Sequence, residues 1–393
     1  MCSPERGGTT HCTPRCLVYS LRVMSALIDI QRTRSPKPRP GASELGFGRH
    51  FTDHMFLMEF ERGRGWGGAR VVPYGPIQVD PAASALHYGQ TIFEGLKAFP
   101  DPGGRIRVFR LADHLARFNQ SARTLCIPEV DTELTARGIR TLLALDAPWM
   151  PEGEGTSLYI RPLIFATEPF LGVRPAEHFL MCVFLSPVAG YYSTGAAPVR
   201  IWVEEKYTRA APGGLGTAKT GANYAASLRA AEESRGRGFD QVLWLDAREH
   251  KHVEEVGTMN LFLRIGDEIV TPPLEGTLLA GITRDSVITL LRQWGIKVTE
   301  RRVSIEEIRT AHARGGLQEI FGSGTAAVIS PVGELGFANA SIKIGDSAGP
   351  IATRLKKAIT DIQYGRAPDL FGWLSPVDAL AEAEDRAGVA VRA

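Results

Sequence analysis

Hydrophobic and polar positions follow two periods along this chain. The period-two runs come mostly in pairs joined by turn formers. Residues 56–60 (FLMEF) return through a Gly-rich turn to 69–72 (ARVV). Residues 96–99 (LKAF) return through PDPGG to 105–109 (RIRVF), and 260–265 (NLFLRI) cross Gly266-Asp267 to 268–271 (EIVT). Such pairs predict antiparallel hairpins. In 157–161 (SLYIR), Tyr159 and Arg161 are two apart and share a face, while Leu158 and Ile160 point the other way into a core. Helical spacing is interleaved. Leu111, Leu115, Phe118, Ala122 and Leu125 recur in 111–125. Val287, Leu290, Leu291 and Trp294 recur in 284–294, with Thr283 as N-cap and Gly295 as stop. Ser304 and Glu307 form a capping box for 305–313. Hairpins with segregated helices predict an α+β fold, not a doubly wound parallel sheet. No G-x-G-x-x-G follows a strand and no Walker loop or internal repeat is present.

The chain has 393 residues, which predicts two domains of ordinary size. A run of Gly, Ala, Pro and Ser at 187–200 (PVAGYYSTGAAPVR) follows the strand-like 179–186 (FLMCVFLS) and marks the break. The expected division is a disordered tail over 1–40, a small domain over 41–187, a loop over 188–200, a larger domain over 201–373 and a tail over 374–393. Residues 1–23 lack periodicity, and Met24 is the expected start of the working protein. Residues 33–42 (TRSPKPRPGA) read as extended, and 374–393 as room for one short helix.

Lys+Arg is 45 against 43 Asp+Glu, a net charge of +2. That leaves no electrostatic case for nucleic acid or anionic lipid. No apolar run approaches the ~20 residues of a membrane span. The five cysteines, at 2, 12, 16, 126 and 182, make a poor disulfide framework and point to a reducing, cytoplasmic compartment. His11, Cys12 and Cys16 have no second half-site for a metal, so no metal is expected.

The most unusual window is 211–229, APGGLGTAKTGANYAASLR. A Gly-rich loop delivers Lys219 just before a helix opening near Gly221, with no flanking carboxylate to make it a routine surface ion pair. Lysine forms Schiff bases and shifts its pKa readily when desolvated. Glu254-Glu255 stands at the mouth of an apolar strand, where a carboxylate needs a cationic partner. Gly281-Ile282-Thr283 ends at a helix N-terminus suited to an anion. Residues 322–326 (GSGTA) form a small-residue turn whose N–H groups and hydroxyls suit a phosphate. A Schiff-base lysine, a buried carboxylate and two phosphate cradles together describe a site for pyridoxal 5′-phosphate.

The chain resembles the branched-chain amino acid aminotransferases, two-domain fold-type IV enzymes with a small α/β domain and a larger barrel-like one. The resemblance runs from about Phe47 to Arg366. It is carried by FTDHM (51–55), LHYGQTIFEGLKAF (86–99), YIRPLIFATEPFLGV (159–173), GTAKTGANYAASL (216–228), EVGTMNLF (255–262), GITR (281–284), FGSGTA (321–326) and TDIQYGR (360–366). It implies that Lys219 is the catalytic lysine, Tyr224 bonds the cofactor's phenolic oxygen and Glu255 pairs with its pyridine nitrogen. Arg117, Ile282, Thr283 and Thr325 would hold the phosphate. Substrate contacts would come from Phe51, Tyr88, Phe93, Tyr159, Arg161, Leu171, Val173, Thr258 and Ala326. The implied reaction is ping-pong amino transfer between L-leucine, L-isoleucine or L-valine and 2-oxoglutarate, in a homodimer with the pocket near the subunit contact. D-amino acid aminotransferases and aminodeoxychorismate lyases share the fold and the lysine and are the alternatives, with a non-catalytic cofactor-binding protein behind them. Two departures stand out. Ala327 and Ser330 occupy the positions of a redox Cys-x-x-Cys in animal members, so thiol switching of that kind is not expected. One extra residue lies between Lys219 and Glu255, within 246–254.

Overall fold

The computed structural model describes residues 27–190, 197–378 and, as backbone, 390–392. In the first half lie β1 (Asp29–Gln31), β2 (His54–Glu61), β3 (Gly65–Pro73), α1 (Ser84–Tyr88), β4 (Thr91–Phe93), β5 (Leu96–Pro100), β6 (Ile106–Phe109), α2 (Leu111–Thr124), α3 (Thr132–Leu145), β7 (Ser157–Ala166) and β8 (His178–Val188). In the second lie β9 (Val199–Glu204), α4 (Gly221–Gly236), β10 (Gln241–Leu245), β11 (Val253–Val256), β12 (Met259–Ile265), β13 (Glu268–Thr271), α5 (Ile282–Gln293), β14 (Val298–Glu300), α6 (Ile305–Ala313), β15 (Leu317–Gly324), β16 (Val328–Gly336), β17 (Ser341–Lys343) and α7 (Pro350–Gln363). Two short strands, β18 (Leu374–Pro376) and β19 (Ala390–Arg392), follow.

The hairpins read from the alternation form as β2–β3, β5–β6 and β12–β13, all antiparallel. The first sheet runs β18-β6-β5-β7-β8-β2-β3-β1-β19, with β4 on β7. Helices α2 and α3 cover one face. Leu111, Leu115, Phe118 and Ala122 of α2 meet Ile139, Leu142 and Leu143 of α3 over Phe56, Met58, Val108, Leu158 and Ile160. The second sheet runs β11-β10-β9-β16-β15-β12-β13-β14, and β11 also pairs β12. Six strands thereby close into a barrel, which removes their edges. All six send apolar side chains to one core, among them Ile201, Leu243, Val256, Leu261, Ile320 and Val332. The opposite face of the same strands, Phe262, Phe321 and Ile329, lies under α5 and α7 through Val287, Leu291, Leu355 and Ile359. This is the α+β plan expected.

Two local expectations need correction. The α5 N-cap is Gly281, and Thr283 sits inside the first turn. The stretch placed in the leading tail is not disordered from residue 27 onward. Ile28 and Ile30 are fully buried, because β1 pairs in parallel with β3 and drops them into the first core. At the trailing end β18 pairs with β6 and β19 with β1, and the short helix expected there falls on residues 379–389, outside the described residues. Residues 1–26, 191–196 and 379–389 lie outside the described residues. With them go the remaining tail readings, Cys2, Cys12 and Cys16, and the middle of the 188–200 loop. The two halves also share packing, for Phe99 and Phe109 join the cluster of α5, α7 and Trp373. No helix among the described residues is long and apolar enough to cross a membrane.

Gly138 shows how tightly α3 lies on β2. A Cβ there would meet the Phe56 ring at 2.5 Å. Gly138→Ala gains about 1 kcal/mol of helix propensity but overpacks a rigid core, which costs about 1–3 kcal/mol. The variant should melt below the wild type in a thermal denaturation series.

Candidate active site

The site grows from the loop before α4. Asn223 Nδ2 donates to the carbonyls of Leu215 (2.8 Å) and Ala218 (2.9 Å), folding the Gly-rich loop onto the first turn of the helix. Three bonds then tie this segment to the first half. Thr220 Oγ1 donates to the Thr91 carbonyl (2.7 Å), the Phe93 N–H donates to the Lys219 carbonyl (3.0 Å), and the Lys219 N–H donates to Ser121 Oγ (2.9 Å). Lys219 is therefore presented between the halves. Its Nζ donates to Tyr224 Oη (2.7 Å) and lies 4.9 Å from the Phe93 ring centroid. Ser121 Oγ also donates to the Arg117 carbonyl (3.1 Å), so one hydroxyl links the lysine to the helix carrying that arginine.

Arg117 is locked by Glu94. Its Nε and Nη2 donate to the two carboxylate oxygens (2.7 and 2.9 Å) and its Nη1 donates to the Ala280 carbonyl (3.0 Å). Glu94 is fully buried, and His114 Nδ1 lies 2.9 Å from it. Burial alone would raise this carboxyl. The Arg117 guanidinium and the His114 bond outweigh burial and hold it well below the usual carboxylate range.

Phe93, Gly95, Arg117, Tyr159, Arg161, Lys219, Tyr224, Thr258, Ile282, Thr283, Thr325 and Ala326 line one cavity of about 250 Å³ between the halves. Tyr159 and Arg161 face it together, as their spacing on β7 requires. Arg161 Nη2 donates to Tyr159 Oη (3.1 Å), and its guanidinium carbon lies 4.9 Å from the Phe93 ring centroid. Gly95 lets Tyr159 in, for a Cβ there would fall 1.8 Å from its hydroxyl.

Glu255 does not line this cavity. It faces an adjoining one of about 20 Å³ that shares Tyr224, Thr258 and Leu279 with the first. Glu255 Oε1 accepts from Asn260 Nδ2 (3.1 Å) and the Leu279 N–H (3.0 Å), and Oε2 pairs with Arg209 Nε (2.9 Å). Burial still raises its pKa, with Arg209 only partly opposing. Such a carboxylate is short of positive charge, and a pyridinium supplies one.

Four expected contacts lie elsewhere. Phe51 stacks on Tyr74 and meets Phe184 edge-on, away from the cavity, and Phe47 lines it instead. Tyr88, Leu171 and Val173 are exposed, Val173 by 85 %, with Tyr88 Oη donating to the Leu171 carbonyl (2.5 Å). Glu94, Arg209 and Asn260 are polar residues that sequence reasoning missed, whereas Ser323 lies in the turn whose hydroxyls it singled out. Glu94 lies inside a quoted string, FEGL, where only its pairing distinguishes it. Arg209 stands two residues before the window that drew attention. The Ser323 hydroxyl is buried without a partner beside the cavity.

The residues fit a phosphate-bearing pyridine. Arg117, Arg161, Lys97, Arg209 and Lys219 stand in or against the cleft, and Glu94, Glu254 and Glu255 face them. Helix α5 opens on it through Ile282 and Thr283, adding unpaired N–H groups and a positive dipole end. Lys219 waits on Tyr224 with its Nζ unblocked by any carboxylate among the described residues.

Amino-transferase class IV, as a family, matches residues 91–335. The chain belongs to that class. It is 50 % identical over 358 residues to branched-chain-amino-acid aminotransferase 2 of Bacillus subtilis (strain 168), covering 91 % of this chain and 99 % of the relative. It is 45 % identical over 361 residues to the branched-chain-amino-acid aminotransferase of Mycobacterium tuberculosis, covering 90 % and 96 %. The chain is thus a member of the branched-chain-amino-acid aminotransferase family. Among solved structures, a T.th. branched-chain amino acid aminotransferase with pyridoxamine 5′-phosphate matches at a TM-score of 0.68 and 29 % identity, over 82 % of this chain and 98 % of that one. That from Escherichia coli matches at 0.67 and 28 %, over 82 % and 99 %.

The Glu94 pair yields a stability test. A depressed carboxyl stabilises the fold above the ordinary glutamate value of 4.5 and loses that contribution as pH falls through its own lower value. Glu94→Gln should cost about 3 kcal/mol or more near neutral pH, and the difference from wild type should shrink on acidification. Urea melts across pH check this, and a penalty independent of pH would contradict it.

Proposed function

We propose that this protein transfers the amino group between L-leucine, L-isoleucine or L-valine and 2-oxoglutarate, using pyridoxal 5′-phosphate. The observation that carries the reading is Lys219 Nζ, bonded to Tyr224 Oη at the base of a cation-rich cleft whose wall pairs Arg161 with aromatic rings.

When bound, the cofactor supplies an electron sink for the carbanion left when the substrate α-carbon loses its proton. Lys219 is the group placed to take that proton on Nζ and return it. Tyr224 Oη holds the amine in position and meets the cofactor's phenolic oxygen. Arg117, held by Glu94, binds the phosphate with the Ile282 and Thr283 N–H groups and Thr325. Glu255 keeps a negative charge against the pyridine nitrogen, backed by Arg209 and Asn260. Phe93, Tyr159 and the neighbouring Phe47 give a branched side chain an apolar wall. Arg161 on the same wall meets the second carboxylate of glutamate. Thr258 and Ala326 contact substrate from the second half. The two sheets form the cores of two domains, 41–187 and 201–373, joined through 188–200, with the end strands β1, β18 and β19 added to the first sheet.

The exposed Tyr88, Leu171 and Val173 fit a surface covered by a second copy, through which they reach the substrate pocket of the partner. The working unit on this reading is a homodimer in the cytoplasm.

The visible spectrum of the holoenzyme tests the reading. A yellow band should bleach when L-leucine is added without a 2-oxo acid. A band that responds to D-alanine and ignores L-leucine would move the protein to the D-amino acid branch. Lys219→Ala should reduce turnover at least about 10⁴-fold, since nothing else in the cleft is placed to move the α-proton. Arg161→Ala should lower kcat/KM for glutamate about tenfold more than for leucine, the worth of one charged hydrogen bond. Equal losses would remove the assigned role.

A further inference from the structure

Glu254 is a buried carboxylate that none of the roles above uses. It precedes Glu255 on β11, and the two side chains leave the strand on opposite sides. Glu255 faces the small cavity beside Tyr224. Glu254 lines a separate cavity of about 130 Å³, bounded by the β10–β11 loop and the segment 272–278. Residues 277–279 run between the two carboxylates. Thr277 Oγ1 donates to Glu254 Oε1 (2.6 Å), and the Leu279 N–H donates to Glu255 Oε1 (3.0 Å). Arg209 closes the set. Its Nη2 donates to the Thr277 carbonyl, and its Nε pairs with Glu255 Oε2 (2.9 Å). The Arg209 side chain is only 9 % exposed.

Glu254 Oε2 is buried with no hydrogen-bond partner. Among the described residues lining its cavity, none supplies one. Asp246 is itself a carboxylate, and its oxygens accept the N–H groups of Arg248, Glu249, Lys251 and His252. His252 Nδ1 lies 3.5 Å from Asp246 Oδ1. Arg302 is taken by Glu275, and Arg248 is exposed to solvent. The buried cluster is therefore one guanidinium between two carboxylates. Burial raises the pKa of both glutamates. Thr277 and Arg209 oppose it at Glu254, and Arg209 opposes it at Glu255. One cation shared by two buried carboxylates leaves the cluster a positive charge short. If Arg209 served Glu255 alone, that pair would be neutral. A ring nitrogen beside it would then gain little by holding a proton.

We propose that Glu254 is a positioning residue for the charge at the cofactor's ring nitrogen. Through Thr277 and Arg209 it shares the guanidinium with Glu255, so that Glu255 still demands a proton on the ring. The inference deepens the aminotransferase reading and rests on it for the identity of the ring. Its readout is a proton on one atom, with no substrate present.

The test follows the holoenzyme by NMR across the alkaline range, loaded with pyridoxal 5′-phosphate carrying nitrogen-15 in the ring. The wild type should show a protonated ring nitrogen at neutral pH. Glu254→Gln keeps the shape and an acceptor for Thr277 but no charge. It should lower the midpoint of ring deprotonation by about one pH unit or more. Glu254→Asp keeps the charge and should hold the midpoint closer to the wild type. Glu254→Thr is a second uncharged variant and should behave as Glu254→Gln does. The same ring protonation in the uncharged variants as in the wild type throughout the range would overturn the proposal. So would an unprotonated ring in the wild type at neutral pH. Loss of the folded, cofactor-bearing protein in both uncharged variants would make Glu254 a purely structural carboxylate and would overturn it too. If the ring proton depends on Glu254 while the wild-type spectrum ignores L-leucine, Glu254 keeps its role and the branched-chain reading alone fails.

Discussion

An excess of positive charge, gathered where two sheets meet, is the constraint around which this structure is organised. Lys97, Arg117, Arg161, Arg209 and Lys219 converge on one cleft, and among the described residues three buried carboxylates, Glu94, Glu254 and Glu255, stand against five cations. Cations at such density are tolerable when each is hydrogen-bonded and an anionic occupant completes the balance. Phosphate and carboxylate together are that occupant. The glutamates divide the work. Glu94 is saturated by Arg117 and His114 and serves to hold the arginine still. Glu255 remains raised by burial despite Arg209 and is available to one more positive group.

The cleft also joins the halves mechanically. Lys219 comes from the second half, yet its carbonyl, its N–H and the following threonine are bonded to β4 and α2 of the first. Lys97 reaches in the opposite direction to Ala326. Phe99, Phe109 and Trp373 seal the same junction on its apolar side. The lysine and its surroundings are thus fixed by bonds from elements far apart in sequence, the rigidity that proton transfer at a defined atom requires.

Most of the architecture was legible because it is written in short-range chemistry. The hairpins β2–β3, β5–β6 and β12–β13 lie where alternation and turn residues place them, and Ser304 accepts the Glu307 N–H as half of the expected capping box. The failures share one cause. Strand β1 and strand β18 are three residues long and carry no period of their own. They are strands because β3 and β6 offer free edges, which is a tertiary fact. The α5 cap moved from Thr283 to Gly281 because the turn's backbone, packed beside Asn260, begins the helix earlier.

The sequence by itself determined the fold class, the lysine and the carboxylate that suit pyridoxal chemistry, and the strings that carry the family. Those depend on residue type, local spacing and order. Only the tertiary structure decided which groups share a cavity. It brought Phe47 in and left Phe51 against Tyr74. It turned Tyr88, Leu171 and Val173 to the surface, and it set Glu94, Arg209 and Lys97 behind the residues they hold. The physical reason is separation along the chain. The partners of these groups lie from 20 to 229 positions away, and no local pattern encodes a contact closed by the packing of two sheets.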